Sequence, residues 1–201
     1  MKQLPIKGLQ KTSLVDFPGK ICATVFLGGC NFRCGYCYNK ELVLEVQAKP
    51  TISEEEILSF LERRKKVLDG VCITGGEPTI HKDCFKIAKY AHDKGLQVGM
   101  LTNAARFDIP LALESFRYIR LGVDAHEDEL YQIVKGTTEG TFAKTERNCA
   151  NLIAERNNSG RTLPRIGVKH LIGRKNAPYL KELVAWAWDL SGDYVHFKAE
   201  H

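Results

Sequence analysis

Six short apolar runs separated by helical patterns predict an α/β fold, either a βα barrel or an open doubly wound sheet. The runs cover 21–27, 70–74, 96–102, 118–123, 165–172 and 194–198. Each is rich in Val, Ile, Leu, Phe or Tyr, as strands covered on both faces should be. Strand, helix and strand in regular succession imply parallel pairing with right-handed crossovers.

The elements between the runs follow from local patterns. Segment 53–69 opens with Ser53 and has Glu56 three residues on, a capping box, with Ile57, Leu58, Leu61 and Leu68 on one side. Cys84, Ala88 and Ala91 fall at helical spacing, and Gly95 stands where a left-handed C-cap belongs. A short helix is expected after Pro110. Phe142, Thr145, Cys149, Leu152 and Ile153 form an apolar stripe that ends at Asn157-Asn158-Ser159-Gly160. The last helix, 179–190, is expected to turn Leu180, Leu183, Val184, Ala187 and Trp188 inward, with Gly192 after it. No internal repeat, low-complexity segment or linker interrupts the pattern, so residues 1–201 are read as one domain.

Composition narrows the class. Of 201 residues, 44% are hydrophobic and 26% charged, as in an ordinary globular domain, which excludes a disordered or collagenous chain. A chain of this length buries on the order of 70% of its unfolded surface, enough for a core without disulfides. The net charge of +5 is spread out, with no like-charge block longer than Arg63-Arg64-Lys65-Lys66, and does not indicate nucleic acid. No apolar run approaches the roughly 18 residues of a membrane span, and the N-terminus lacks a signal-peptide core, so a cytoplasmic location is expected. Seven cysteines is an odd number, and in a reducing compartment clustered thiols are more often metal ligands or reactive groups than disulfides.

Cys30, Cys34 and Cys37 stand directly after the first apolar run, in Gly28-Gly29-Cys30-Asn31-Phe32-Arg33-Cys34-Gly35-Tyr36-Cys37. Three thiolates this close can wrap a compact cluster, because the glycines let the loop turn inward between ligands. The number three is informative. A structural zinc site needs four protein ligands, which here would take a distant group such as His81 or Cys72, whereas three Cys on a cubane leave one iron open. Gly75-Gly76-Glu77-Pro78 ends the second run, where two glycines permit close backbone approach to a ligand and Glu77 can accept from a cationic amino group. Cys22, Cys72, Cys84 and Cys149 read as core. His126 and His170 read as hydrogen-bonded structural residues, Phe32, Tyr36 and Tyr38 equally as packing that excludes water beside the thiols, and Trp188 as core.

Cys-x-x-x-Cys-x-x-Cys with Tyr36 before the third Cys, together with the Gly-Gly-Glu motif, resembles the signature of the radical S-adenosylmethionine superfamily. The resemblance covers nearly the whole chain. It implies a partial (β/α)6 barrel of parallel strands with a four-iron four-sulfur cluster at the C-terminal edge, held by Cys30, Cys34 and Cys37. S-adenosylmethionine would chelate the open iron. Residues implied to contact the cofactor are Tyr36, Asn39, Gly75, Gly76, Glu77, Asn103, Asp124 and Val168. Asp124 reads equally as a ribose ligand or as the N-cap of a helix starting near Glu127, Asn103 as a ligand or a turn residue, and Val168 as a ligand or a core valine. Reductive cleavage of the cofactor gives a 5'-deoxyadenosyl radical, and no side-chain acid or base is required of the protein.

The first 80 residues are similar to the anaerobic ribonucleoside-triphosphate reductase activating proteins. The similarity lies in Thr12-Ser13-Leu14-Val15-Asp16-Phe17-Pro18-Gly19-Lys20, Gly29-Cys30-Asn31-Phe32-Arg33-Cys34, Asn39 and Glu41-Leu42. It implies two partners: a low-potential donor such as flavodoxin or ferredoxin, and the large subunit of the anaerobic reductase, whose glycine gives up a hydrogen atom. Gly35 and Tyr38 depart from that pattern, where Pro and His are common. Leu121-Gly122-Val123-Asp124-Ala125, Lys135-Gly136-Thr137 and Tyr194-Val195-His196-Phe197-Lys198 look more like radical enzymes that modify small molecules or peptides. The chain stops just after the sixth apolar run, where larger members continue, so a C-terminal recognition element is expected to be missing if the chain is a fragment.

Overall fold

The computed structural model describes residues 5–81 and 83–200. Its sheet has seven strands in sequence order: β1 (Ile6–Ser13), β2 (Cys22–Leu27), β3 (Gly70–Gly75), β4 (Gln97–Thr102), β5 (Phe116–Gly122), β6 (Arg165–Ile172) and β7 (Tyr194–Ala199). β2 to β7 are all parallel, so the six expected strands and their direction hold, and the open sheet is a partial barrel. β1 was not expected. It pairs antiparallel with β2 and is exposed over much of its length, so its mixed sequence Ile-Lys-Gly-Leu-Gln-Lys-Thr-Ser carries no continuous apolar run.

The helices are α1 (Lys40–Leu44), α2 (Glu54–Arg64), α3 (Cys84–Asp93), α4 (Ile109–Ser115), α5 (Asp128–Lys135), α6 (Thr141–Asn158) and α7 (Leu180–Asp189). Ser53 caps α2 by accepting from Glu56 N at 3.0 Å, and Gly95 takes the left-handed conformation after α3 at φ 84°. α2 ends at Arg64, five residues short of the expected end. α1 is too short to show periodicity, and α5 begins after Glu127. None of the described helices is long and apolar enough to cross a membrane.

The two faces of the sheet differ. Ile119, Leu121, Ile166, Val168 and His170 point outward to the helices, as the His170 ring against Trp186 of α7 shows, with centroids 6.2 Å apart. Alternation therefore turns Arg120, Gly167 and Lys169 to the concave inner face. Cys22, Cys72, Cys84 and Cys149 are buried, as expected of core thiols.

α7 corrects one expectation. Leu183 and Ala187 are buried, with Trp186 and Leu190 packed against the core, while Leu180, Val184 and Trp188 face solvent, Trp188 at 79% exposure. The two stripes are interleaved and both apolar, so periodicity alone could not choose between them. Ser191 at φ 57°, rather than Gly192, takes the left-handed conformation after this helix. His170 is fully buried, its ring stacked on Phe197 at 5.5 Å and facing the backbone of Val123 and Leu183, in a structural role. His126 packs against Tyr179 with its Nδ1 unpartnered.

Candidate active site

The three cysteines lie on the loop that leaves β2 at the C-terminal edge of the sheet, where parallel α/β folds collect their chemistry. This loop rests on the end of β3. Gly76 N donates to Leu27 O at 2.7 Å, and Glu77 N donates to Gly29 O at 2.8 Å. The contact requires glycine. A Cβ on Gly76 would stand 1.9 Å from Gly29 O, and one on Gly75, at φ 116°, 2.4 Å from Leu27 O. Asn39 Nδ2 donates to Gly75 O at 3.3 Å and ties the far end of the loop to the same turn.

Glu77 is buried and turned inward. Oε1 accepts from Thr79 N at 2.8 Å, Thr79 Oγ1 at 2.7 Å and Thr102 Oγ1 at 2.5 Å, and Oε2 accepts from Asn103 N at 2.5 Å. Burial pushes its carboxyl above the usual range against these four donors. The side chain thus braces the end of β3 against the end of β4. Asn103 reaches back to the cysteine loop, donating to Asn31 Oδ1 at 3.0 Å and approaching Cys30 Sγ at 3.9 Å.

A second brace lies under Cys34. The buried Asp124 accepts from Lys135 Nζ at 2.5 Å, from Leu171 N at 2.6 Å and from the Tyr36 hydroxyl. Lys135 Nζ also donates to Gly122 O at 2.8 Å and lies 5.7 Å from the centre of the Tyr36 ring. Asp124 therefore caps no helix. Burial would raise its pKa, but Lys135 and the hydrogen bonds outweigh this and hold it below the ordinary carboxylate value. Gly136, at φ 61°, lets this segment meet the cysteine loop, since a Cβ there would lie 2.4 Å from Arg33 O. Lys135, Thr79 and Thr102 were not foreseen as site residues, because each matters through contacts between strand ends that sequence spacing does not encode.

The donor set suits an iron–sulfur cluster. Cys30 Sγ accepts from Phe32 N at 3.4 Å, burial pushes the Cys30 thiol to about 11, and Lys135 works against the same rise at Cys34. Soft thiolates backed by N–H donors are the ordinary setting of such clusters. The two candidate fourth ligands for zinc are engaged elsewhere: His81 Nε2 sits 2.8 Å from Gly28 O, and Cys72 Sγ 3.1 Å from the Tyr118 hydroxyl. Val168 lies mid-strand in the core. A cavity of about 580 Å³ opens beside Gly35 and Tyr36, bordered by Leu171, Arg174 and Lys175. A larger groove of about 990 Å³ runs between α2 and α3 on the outer face, away from the thiols.

Residues 24–167 match the family model of the Radical SAM superfamily. The chain is 33% identical over 150 residues to a provisionally named glycyl-radical enzyme activating enzyme of Methanocaldococcus jannaschii, covering 73% of this chain and 60% of that protein. It is 28% identical over 172 residues to the mycofactocin maturase of Mycolicibacterium smegmatis, covering 83% and 41%. The chain thus spans less than two thirds of each relative. Its fold is similar to that of Streptococcus suis SuiB bound to S-adenosylmethionine, with a TM-score of 0.65 at 16% identity over 86% of this chain and 39% of that one.

Proposed function

Because the chain belongs to the radical S-adenosylmethionine superfamily, whose cofactors are a four-iron four-sulfur cluster and S-adenosylmethionine, we propose that residues 1–201 act as one radical SAM domain and install a glycyl radical on a protein partner. The observation that carries the site is the docking of Gly76-Glu77 onto Leu27 and Gly29 beside the three-cysteine loop. In this reading Cys30, Cys34 and Cys37 hold the cluster. Gly75, Gly76, Tyr36, Asn39 and Asn103 border the cofactor, while Glu77 and Asp124 fix the loops that do so. When bound and reduced, the cofactor pair supplies a primary carbon radical. The protein's own task is to position one substrate hydrogen and exclude everything else.

The relative from Methanocaldococcus jannaschii and the motifs of the first 80 residues support an activase, with the large subunit of an anaerobic ribonucleotide reductase as acceptor and flavodoxin or ferredoxin as donor. Similarity to the mycofactocin maturase supports a second reading, modification of a small molecule or peptide. Anaerobic reconstitution, followed by dithionite and S-adenosylmethionine, tests both. 5'-Deoxyadenosine with a glycyl radical on added reductase subunit is expected for the activase, and product without radical transfer moves the assignment to the second reading. Cys34→Ala should lose most of its iron and all cleavage, and cleavage retained in that variant would remove Cys34 from the ligand set.

A further inference from the structure

The concave face beside the cysteine loop is cationic. Arg120 on β5, Lys169 on β6 and Lys198 on β7 form a diagonal in the strand register. Arg120 lies opposite Gly167, Lys169 opposite Gly122 and His196, and Lys198 opposite Leu171, so each cation stands two residues closer to the C-terminal edge than the last. All point to the inner face by alternation, and His196 joins them there. The diagonal ends at the cysteine loop, where Lys198 Nζ lies 5.5 Å from the centre of the Tyr38 ring.

Among the described residues none of the three cations forms an ion pair, and neither does His196. The charged groups acting on Lys169 are Asp124 and the cations Lys198, Arg120 and Lys135, and Asp124 is already paired with Lys135. Two buried donors in one register row are also unpartnered, Arg120 Nε and the Tyr194 hydroxyl. The Tyr194 ring occupies the space over Gly167, where a Cβ would stand 2.3 Å from it. Buried donors and converging cations without acceptors cost stability unless something fills the role.

We propose that Arg120, Lys169 and Lys198, with the Tyr194 hydroxyl beside them, form a site for a carboxylate or phosphoryl group carried by the substrate. This specificity site rests on the radical SAM reading. It places the anionic group on the inner face below the cofactor, so that the hydrogen to be abstracted is held toward the cysteine loop. Charge-assisted hydrogen bonds of this kind fix orientation as well as affinity.

Calorimetric titration of the whole chain at low ionic strength, with inorganic phosphate in one arm and malonate in the other, tests the site. Saturable binding of at least one is expected, about tenfold weaker in Arg120→Gln and in Lys198→Met, as loss of one charge-assisted contact implies. Lys198 is on the exposed edge strand, so its variant guards against misfolding, and the exposed helix variant Lys181→Met should bind normally. No saturable binding of either anion, or equal weakening by Lys181→Met, overturns the proposal. So does an S-adenosylmethionine affinity that falls in these variants while anion binding stays unchanged, which would give the cations to the cofactor. Failure of the parent reading is visible separately, as cluster-loaded protein that cleaves no S-adenosylmethionine while the anion titration still succeeds.

Discussion

Lys135 Nζ stands 2.5 Å from Asp124 Oδ2 with both side chains buried, and this pair joins the end of β5 to the loop that carries Cys34 and Tyr36. Removing one partner of a buried pair leaves the other charge uncompensated. Lys135→Met should therefore destabilise the fold by about 3 to 5 kcal/mol near neutral pH, read from urea denaturation. The sign with pH follows from Asp124, whose folded pKa is lowered. Its contribution is present above the unfolded carboxylate value and is lost as pH falls through the folded one, so the gap between wild type and variant should narrow in acid. Lys135, raised by its anionic neighbours against burial, keeps its contribution until strongly alkaline pH. A gap that is constant from neutral pH into acid would show that the two charges are not coupled.

Gly76 and Gly35 make a matched test of the loop. A Cβ on Gly76 meets backbone at 1.9 Å, whereas one on Gly35 meets nothing within 4 Å. Gly76→Ala should push the cysteine loop off the end of β3, lower the melting temperature and reduce the iron taken up on reconstitution. Gly35→Ala should leave both within about 0.5 kcal/mol and its equivalent, as surface changes do. Equal behaviour of the two variants would mean that the close approach of Gly76 to Gly29 does not set the loop.

Glu77 should give a pH trend opposite to that of Asp124. Its folded pKa is raised, chiefly by burial, so its contribution is full below the unfolded value of 4.5 and declines as pH rises through the folded one. Glu77→Gln removes this slope. It also turns an amide toward the backbone donors of Thr79 and Asn103, at a cost of about 1 to 3 kcal/mol. With the Asp124 slope common to both proteins, the advantage of wild type over Glu77→Gln in urea midpoint should thus shrink from acid to neutral pH, and parallel curves would refute the assignment of this difference to the Glu77 carboxyl.

What the sequence made legible were features with a local cause. The parallel strands are buried apolar runs, the α2 cap is Ser53, and the cysteine loop and Gly75-Gly76 stand out by residue type and spacing. Less was legible where a residue's role depends on a distant strand end. Glu77 reads as a free acceptor until Thr79, Thr102 and Asn103 are seen around it, and Asp124 reads equally as a ribose ligand or a cap until Lys135 and Tyr36 converge on it. The cationic diagonal was equally hidden, because Arg120, Lys169 and Lys198 are separated by whole helices and meet only through register.

The two tryptophans of α7 turn one such failure into a measurement. Trp188 looked like core because it extends the spacing of Leu180 and Val184, yet that stripe faces solvent, while Trp186 packs inward against Phe142 at 5.7 Å and donates its indole N–H to Glu146 at 2.6 Å. Trp186→Phe keeps most of the packing but deletes the donor, leaving the Glu146 carboxylate without that partner, and should cost about 1 to 2 kcal/mol. Trp188→Ser removes a large ring that buries little and should change stability by no more than about 0.5 kcal/mol. Chemical denaturation of the two variants ranks them directly. A larger loss at Trp188 than at Trp186 would mean that the solvent-facing stripe of α7 is covered in solution, and that the orientation of this helix in the structure is not its resting one.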